Sequence, residues 1–205
     1  MRIDLHVHTE ERSLCGRSGE EAMVQRAIER GLGAIAITDH DRLVPPSRLA
    51  MLNAKYAPFR VFGGIEVSLG LEHVLVLGVQ DPLLEQVRWS YAALHDFVER
   101  AGGFIAWAHP FRFRRCLRAE IAARPPHALE IYSHNTPGYA ETQIRELAEE
   151  WGARMLANSD AHHVDELGSY YNELAGEPQD VAALVRMLRA GAFTPVASLC
   201  ERKEA

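Results

Sequence analysis

The sequence predicts an α/β fold in which strands close into a barrel, and three observations carry that reading. Short apolar segments alternate with amphipathic helical ones along the 205 residues, an order that lays strands parallel with helices crossing between them. Nearly every strand candidate ends in a histidine, a carboxylate or an amide. In a barrel those ends meet at one mouth, whereas an open sheet gathers them only where its strand order reverses.

The first strand runs from Arg2 to His8 and ends in His6 and His8. Side chains two apart on a strand share a face, so both imidazoles can reach one ion while Leu5 and Val7 pack outward, and Asp4 falls in the same phase as the histidines. A helix follows over Gly19 to Arg30, with Gly31 as its stop. The second strand, Gly33 to His40, ends in a histidine flanked by Asp39 and Asp41, which like Asp4 are placed to orient imidazoles from behind. Val61 to Ser68 delivers Glu66, and His73 to Val79 opens on His73. Leu83 to Ala101 reads as one helix closed by Gly102.

Gly103 to His109 ends in His109 and leads into Arg112, Arg114 and Arg115. Ala128 to Asn135 carries Glu130, Tyr132 and His134 on one face, so His134 can contact substrate or cap the barrel mouth. A helix over Tyr139 to Trp151, stopped by Gly152, precedes the seventh strand, Ala153 to Asp160. If extended backbone continues past its end, Asp160 and His162 repeat the two-apart arrangement of His6 and His8. Gln179 to Ala190, stopped by Gly191, is the last helix.

With 47% hydrophobic and 24% charged residues, the chain can bury one substantial core, and a single domain over 1–205 is expected. A net charge of -6 argues against a surface that coats nucleic acid, and no stable nucleic-acid complex is expected. No apolar run is long enough to span a bilayer and the first residues lack a secretory pattern, so the expected location is the cytoplasm. Cys15, Cys116 and Cys200 form no CxxC pair, and are expected to be reduced. Six of the ten histidines fall at or near strand ends, and imidazole with carboxylate suits Zn, Mn or Fe.

Five segments then form a pattern: DLHVHT from Asp4, ITDHD from Ile37, GGIEVS from Gly63, AHPFR from Ala108 and NSDAH from Asn158. Together, and in this order, they resemble the polymerase and histidinol phosphatase (PHP) family of metal-dependent phosphoesterases. The resemblance implies a distorted (β/α)7 barrel with its metal cluster at the C-terminal ends of the strands. It also implies two to three divalent ions (Zn, Mn or Fe, with Mg as a further choice) and a phosphate ester or nucleotide as substrate. Position by position, His6, His8, Glu66 and Asp160 look like the set around one ion. Glu66, His73 and His109 look like a second set, with Glu66 bridging, and His40 and His162 look like ligands of a third.

The chain departs from the family after its first motif, where relatives supply a further Asp or His. Here the stretch is Glu10-Glu11-Arg12-Ser13-Leu14-Cys15-Gly16. Cys15 lies closest to that slot and reads either as a small turn residue or as a thiolate ligand; Glu10 or Glu11 could substitute with oxygen.

Such a cluster implies a metal-bridging hydroxide as nucleophile, with no nucleophile from the protein. Arg112, Arg114 and Arg115 are placed to clamp phosphate or simply to be solvated, Arg112 being the first choice for the clamp. The competing readings are a non-catalytic, metal-stabilised PHP module and a metal amidohydrolase.

Overall fold

The computed structural model describes residues 1–86 and 88–197; Cys200 lies outside them. In chain order the elements are β1 (Arg2–Val7), α1 (Glu20–Glu29), β2 (Ala34–Ile37), α2 (Pro46–Tyr56), β3 (Arg60–Leu69), β4 (Glu72–Leu77), α3 (Leu83–Gln86) and α4 (Tyr91–Arg100). There follow β5 (Phe104–Ala108), α5 (Ala119–Ala123), β6 (Ala128–Tyr132), α6 (Glu141–Trp151), β7 (Arg154–Ala157), β8 (Tyr170–Leu174), α7 (Val181–Ala190) and β9 (Phe193–Ala197). Helices α6 and α7 end on Gly152 and Gly191, both left-handed, as a carbonyl-satisfying stop requires.

The strands form one sheet in the order β7-β6-β5-β4-β3-β2-β1-β8-β9. Pairing is parallel for β1 with β2, β2 with β3, β5 with β6 and β6 with β7. It is antiparallel where β4 lies between β3 and β5, and where β8 and β9 join β1. The expectation of parallel strands throughout therefore fails at β4, for a local reason. The short turn between Leu69 and Glu72 joins β3 and β4 as a hairpin, too short for a crossover helix. That reversal brings His73, near the start of β4, to the same end of the barrel as Glu66, and Ser68 pairs opposite it.

The ring is nearly closed, and buried side chains bridge the seam. Asn172 on β8 donates to the Ala157 carbonyl and accepts from the Ala157 N–H, standing in for a strand neighbour. Asn158 accepts from the Leu5 N–H. Beyond β7, Ala161 pairs in parallel with Val7. A buried asparagine that satisfies backbone groups in this way removes a cost of about 1–3 kcal/mol per unpaired group.

One apolar cluster fills the interior, drawing Ile3, Leu5, Ala36, Phe62, Leu75, Ala106 and Leu156 from the strands and Leu184 and Leu188 from α7. Two outer clusters pack helices on the sheet: α4 and α6 over β3 to β6, and α1 and α2 over β1 and β2. Each fully buried Leu, Ile or Phe contributes about 1.5–3 kcal/mol. The single helix expected from Leu83 to Ala101 is two: Ser90 caps α4, its hydroxyl accepting from Ala93, so the chain restarts there. Strands β8 and β9 and helices α2 and α5 have no counterpart in the sequence reading.

Candidate metal centre

The first strand aims its histidines through a register slip. Asp4 pairs with Ile35 and Val7 with Ile37, three steps on β1 against two on β2. Such a bulge switches which residues face inward. Ile3 and Leu5 belong to the interior cluster and Val7 to the outer one, so Leu5 does not pack outward, and Asp4 is not in phase with His6 and His8. Asp4 instead holds backbone: its carboxylate accepts from the His6 and Ser159 N–H groups and from the Ser159 hydroxyl. Burial pushes it up to about 7, against the pull of those hydrogen bonds.

Around Glu66 the side chains converge. Its Oε2 lies 3.1 Å from His6 Nε2, 3.0 Å from His8 Nε2 and 3.3 Å from His40 Nδ1. Its Oε1 lies 3.0 Å from both His73 Nδ1 and His109 Nε2. The two oxygens of one carboxylate thus address different sets of imidazoles. Asp160 Oδ1 closes the first set, 3.2 Å from His6 and 3.1 Å from His8.

Three groups of side chains place one ligand atom each within 4.8 Å of one another: His6, His8, Glu66 and Asp160; His40, Glu66 and His73; and His8, Cys15, His40 and His162. Cations fit this donor set. Asp160 Oδ1 and His40 Nδ1 are buried with no hydrogen-bond partner, and two imidazole nitrogens, His6 Nε2 and His8 Nε2, face each other at 3.1 Å. A shared positive charge satisfies both features.

The electrostatics divide the centre. Burial alone would lower His8, but the close Asp160 and Glu66 carboxylates outweigh that and hold it at about 9. His6 is likewise held well above its usual range by Asp160, Glu66 and Glu130 despite its burial. Glu66 and Asp160 are pulled far down, burial notwithstanding, chiefly by His6. At the edge, burial and the neighbouring imidazoles push His40 down to about 4 and lower His162. Burial, with Glu66, Asp160 and Asp39 nearby, pushes the Cys15 thiol up.

Backbone strain concentrates here. Asp41 (φ 53), His109 (φ 29), Phe111 (φ 66) and Asp160 (φ 53) occupy the left-handed region, which non-glycine residues hold only where their surroundings fix them. The extended continuation expected from Asp160 to His162 is therefore absent. Asp160 turns toward His6 and His8, and His162 toward His40 and Cys15.

The other expected residues divide as follows. Asp39 accepts from the N–H and hydroxyl of Thr9 and from Arg12 Nε, ordering the loop after β1 instead of an imidazole. Asp41 accepts from the Ser68 N–H, again on backbone. Glu11 caps α1, both oxygens accepting from the Glu20 N–H, which diverts it from the centre. Arg112 reaches the mouth, 3.9 Å from Asp160 Oδ2. Arg115 stacks on Tyr139, and Arg114 is exposed. A second register slip between Glu130 and Tyr132 breaks the shared face of β6. His134 is exposed, with its Nε2 on the Glu166 carbonyl.

The carboxylate that touches an imidazole from behind is Glu130, which the sequence reading assigned no role. Fully buried, it lies 3.0 Å from His6 Nδ1 and accepts from the His109 N–H at 2.9 Å and from Asn158 Nδ2 at 2.8 Å. Its signal was available as an acid inside the apolar strand Ala-Leu-Glu-Ile-Tyr. Asn135 also enters, donating to Asp160 Oδ2 at 2.7 Å.

A family model described as PHP domain matches residues 4–157, and a second, described as PHP-associated, matches 138–193. The chain belongs to the PHP domain family. An error-prone DNA polymerase of Mycobacterium tuberculosis is 28% identical over 185 residues, covering 78% of this chain and 16% of the polymerase. One from Nocardia farcinica is 40% identical over 68 residues, 33% of this chain and 6% of that one. This PHP domain thus spans under a fifth of the curated relatives it matches.

Among solved structures, a candidate metal-dependent phosphoesterase of Bifidobacterium adolescentis superposes with a TM-score of 0.65 at 15% identity, covering 91% of this chain and 95% of that one. A two-domain protein of Bacteroides vulgatus containing a PHP-like domain gives 0.70 at 14%, covering 96% and 64%. An amidohydrolase of Chromobacterium violaceum, solved with sulfate and no metal, gives 0.59 at 19%, covering 78% and 87%. These likenesses establish the shared fold of the PHP domain. No described helix is long and apolar enough to cross a membrane.

Proposed function

We propose that this PHP domain is a hydrolase that cleaves phosphate esters, either small phosphorylated metabolites or nucleotides, with the help of two to three divalent ions. The supporting observation is the division of Glu66, whose two oxygens face separate groups of imidazoles. His6, His8, Glu66 and Asp160 would hold one ion, and Glu66, His73 and His109 a second. Zn, Mn or Fe suits these donors. Ions so held supply an acidified water at neutral pH and positive charge for phosphate oxygens.

The chain's own groups do the rest. Glu130 fixes His6 with Nδ1 toward itself and Nε2 toward the centre, the orientation a ligand needs. Asn135 holds the second oxygen of Asp160. Arg112, at the mouth, presents a planar fork to a phosphate approaching Asp160. We also read the chain as one folding unit, because β8, within the PHP-associated stretch, pairs directly with β1.

The test is a screen of phosphorylated metabolites and nucleotides against amides and lactams, with Mn, Zn, Fe or Mg added to chelator-stripped protein. Metal-dependent release of phosphate is expected. Turnover of amides alone would move the assignment to the amidohydrolase reading that the Chromobacterium fold neighbour raises. Ion binding without turnover of any substrate would favour a metal-stabilised module, as the match to segments of polymerases allows.

A further inference from the structure

The turn after β5 holds a phenyl ring beside the metal centre, where core packing has no use for it. His109 and Phe111 take left-handed backbone (φ 29 and 66), and the Arg112 N–H donates to the His109 carbonyl at 3.2 Å, so the chain doubles back at once. The buried Phe111 ring packs in an outer cluster, 5.1 Å from the Trp107 ring. Tyr139 donates its hydroxyl to the Phe111 carbonyl at 2.8 Å. Pinned through a side chain and through the backbone, the turn fixes where Phe113 stands.

Phe113 is 48% exposed and, among the described residues, belongs to none of the three apolar clusters. Its ring lies beside two inner histidines, 5.9 Å from the His73 ring and 6.3 Å from that of His109, edge to face with both. A lone exposed apolar side chain on a surface means little. One fixed beside converging polar groups is the apolar wall of a binding site.

The Arg112 guanidinium carbon stands 4.8 Å from the centroid of the same ring, and Arg112 Nη1 lies 3.9 Å from Asp160 Oδ2. A phosphate held by Arg112 therefore has a phenyl ring alongside it, within reach of a leaving group attached to the ester oxygen. Such a ring favours another planar ring, stacked or edge-on, beyond the area the two cover.

We infer that Phe113 is a specificity-determining residue, selecting phosphate esters whose leaving group carries a planar aromatic ring on a short linker. This narrows the substrate class of the proposed hydrolase, and rests on that reading for where the phosphate sits. The test reads binding alone, with phosphonates, whose carbon–phosphorus bond an ester hydrolase does not cleave. A chain without turnover can still show the preference, and one that hydrolyses phosphate esters can still lack it.

Phenethylphosphonate and cyclohexylethylphosphonate carry the same charge and nearly the same volume, and differ in planarity. Calorimetric titration of the full chain, loaded with zinc, should show the phenyl compound binding about three- to tenfold more tightly. Phe113→Ala brings the two affinities together and leaves that for methylphosphonate, which has no ring, unchanged. Phe113→Tyr keeps a ring and keeps the preference. Met51→Ala, at a residue more exposed still on α2, leaves the preference as it was. Equal affinities in the unmodified chain, binding of neither compound to it, or a preference that survives Phe113→Ala overturns the inference. The first comparison uses the unmodified chain, so a failure of Phe113→Ala to fold cannot shelter it.

Discussion

The floor of the centre and its rim are made differently. The floor is strand-borne: His6, Glu66 and Glu130 lie within β1, β3 and β6, and all three are fully buried. The rim is loop-borne: Cys15 and His162 follow the ends of β1 and β7, and both are at least partly open to solvent. Strands joined by a continuous ladder fix a side chain to within the tolerance a coordination shell needs, whereas a loop must be anchored by individual hydrogen bonds. The floor also confines its charge as buried ion pairs, while the rim histidines are held toward their neutral form. The same cluster of residues therefore contains a rigid, charge-dense half and an adjustable, nearly neutral one.

The sharpest way to break that contrast is at Glu66. Glu66→Gln removes the charge that both inner groups share, and leaves Asp160 as the carboxylate facing His6 Nε2 and His8 Nε2. Activity is expected to fall by roughly a thousandfold or more, several kcal/mol of transition-state stabilisation, with loss of the inner ions. Metal analysis beside kinetics checks it; a variant that keeps its full ion content and rate would end the shared-carboxylate reading.

Next in size is Glu130→Gln. The amide nearly matches the shape but not the charge, and it removes an acceptor from His6 Nδ1, the His109 N–H or Asn158. Inner-site zinc affinity should weaken by about tenfold to a hundredfold while circular dichroism stays native. An unchanged affinity would reduce Glu130 to a packing residue.

Glu130 also shows where the sequence stopped being legible. Motif residues at the ends of β1, β2 and β5 were readable because chemistry and strand period agree there. The roles of Asp4, Asp39 and Asp41 were not: a register slip on β1 and left-handed backbone at Asp41 turn Asp4 and Asp41 onto backbone N–H groups, and Asp39 is taken by Thr9 and Arg12 in the loop after β1. Period-two reasoning assumes an unbroken strand, and the slips in β1 and β6 are where it fails. The seam was hidden for another reason. Asn158 and Asn172 act through long-range contacts with backbone, which no local pattern encodes.

A change of pH separates the two halves further. In chelator-treated protein His8 is raised from 6.5 to about 9, so its pairs with Asp160 and Glu66 contribute stability that is fully present below about 6.5 and lost as pH rises through about 9. The thermal midpoint of stripped protein should fall across that window. Metal-loaded protein should not follow it, since the ion has already displaced the proton, and loading near pH 7 should release protons from the floor. Calorimetric titration in buffers of different ionisation enthalpy counts them; loading without proton release would contradict the charged floor.

The smallest expected effect is at Arg112. Its guanidinium stands 3.9 Å from Asp160 Oδ2, about a third exposed, and its ring partner is Phe113, 4.8 Å from the ring centroid. The contact to buried Asp160 is long and its guanidinium partly solvated, so it adds little to stability, about 0–1 kcal/mol, and Arg112→Ala should leave the fold and the ion content unchanged. On the proposed phosphate-clamp role, what it removes is a charge-assisted contact to substrate, a hydrogen bond of about 1.5–3 kcal/mol. KM should therefore rise, or kcat fall, by roughly ten- to a hundredfold on phosphate esters. A rise in KM alone would place the arginine in ground-state binding, and a fall in kcat would place it on charge that develops during the reaction. Unchanged kinetics would remove Arg112 from the site.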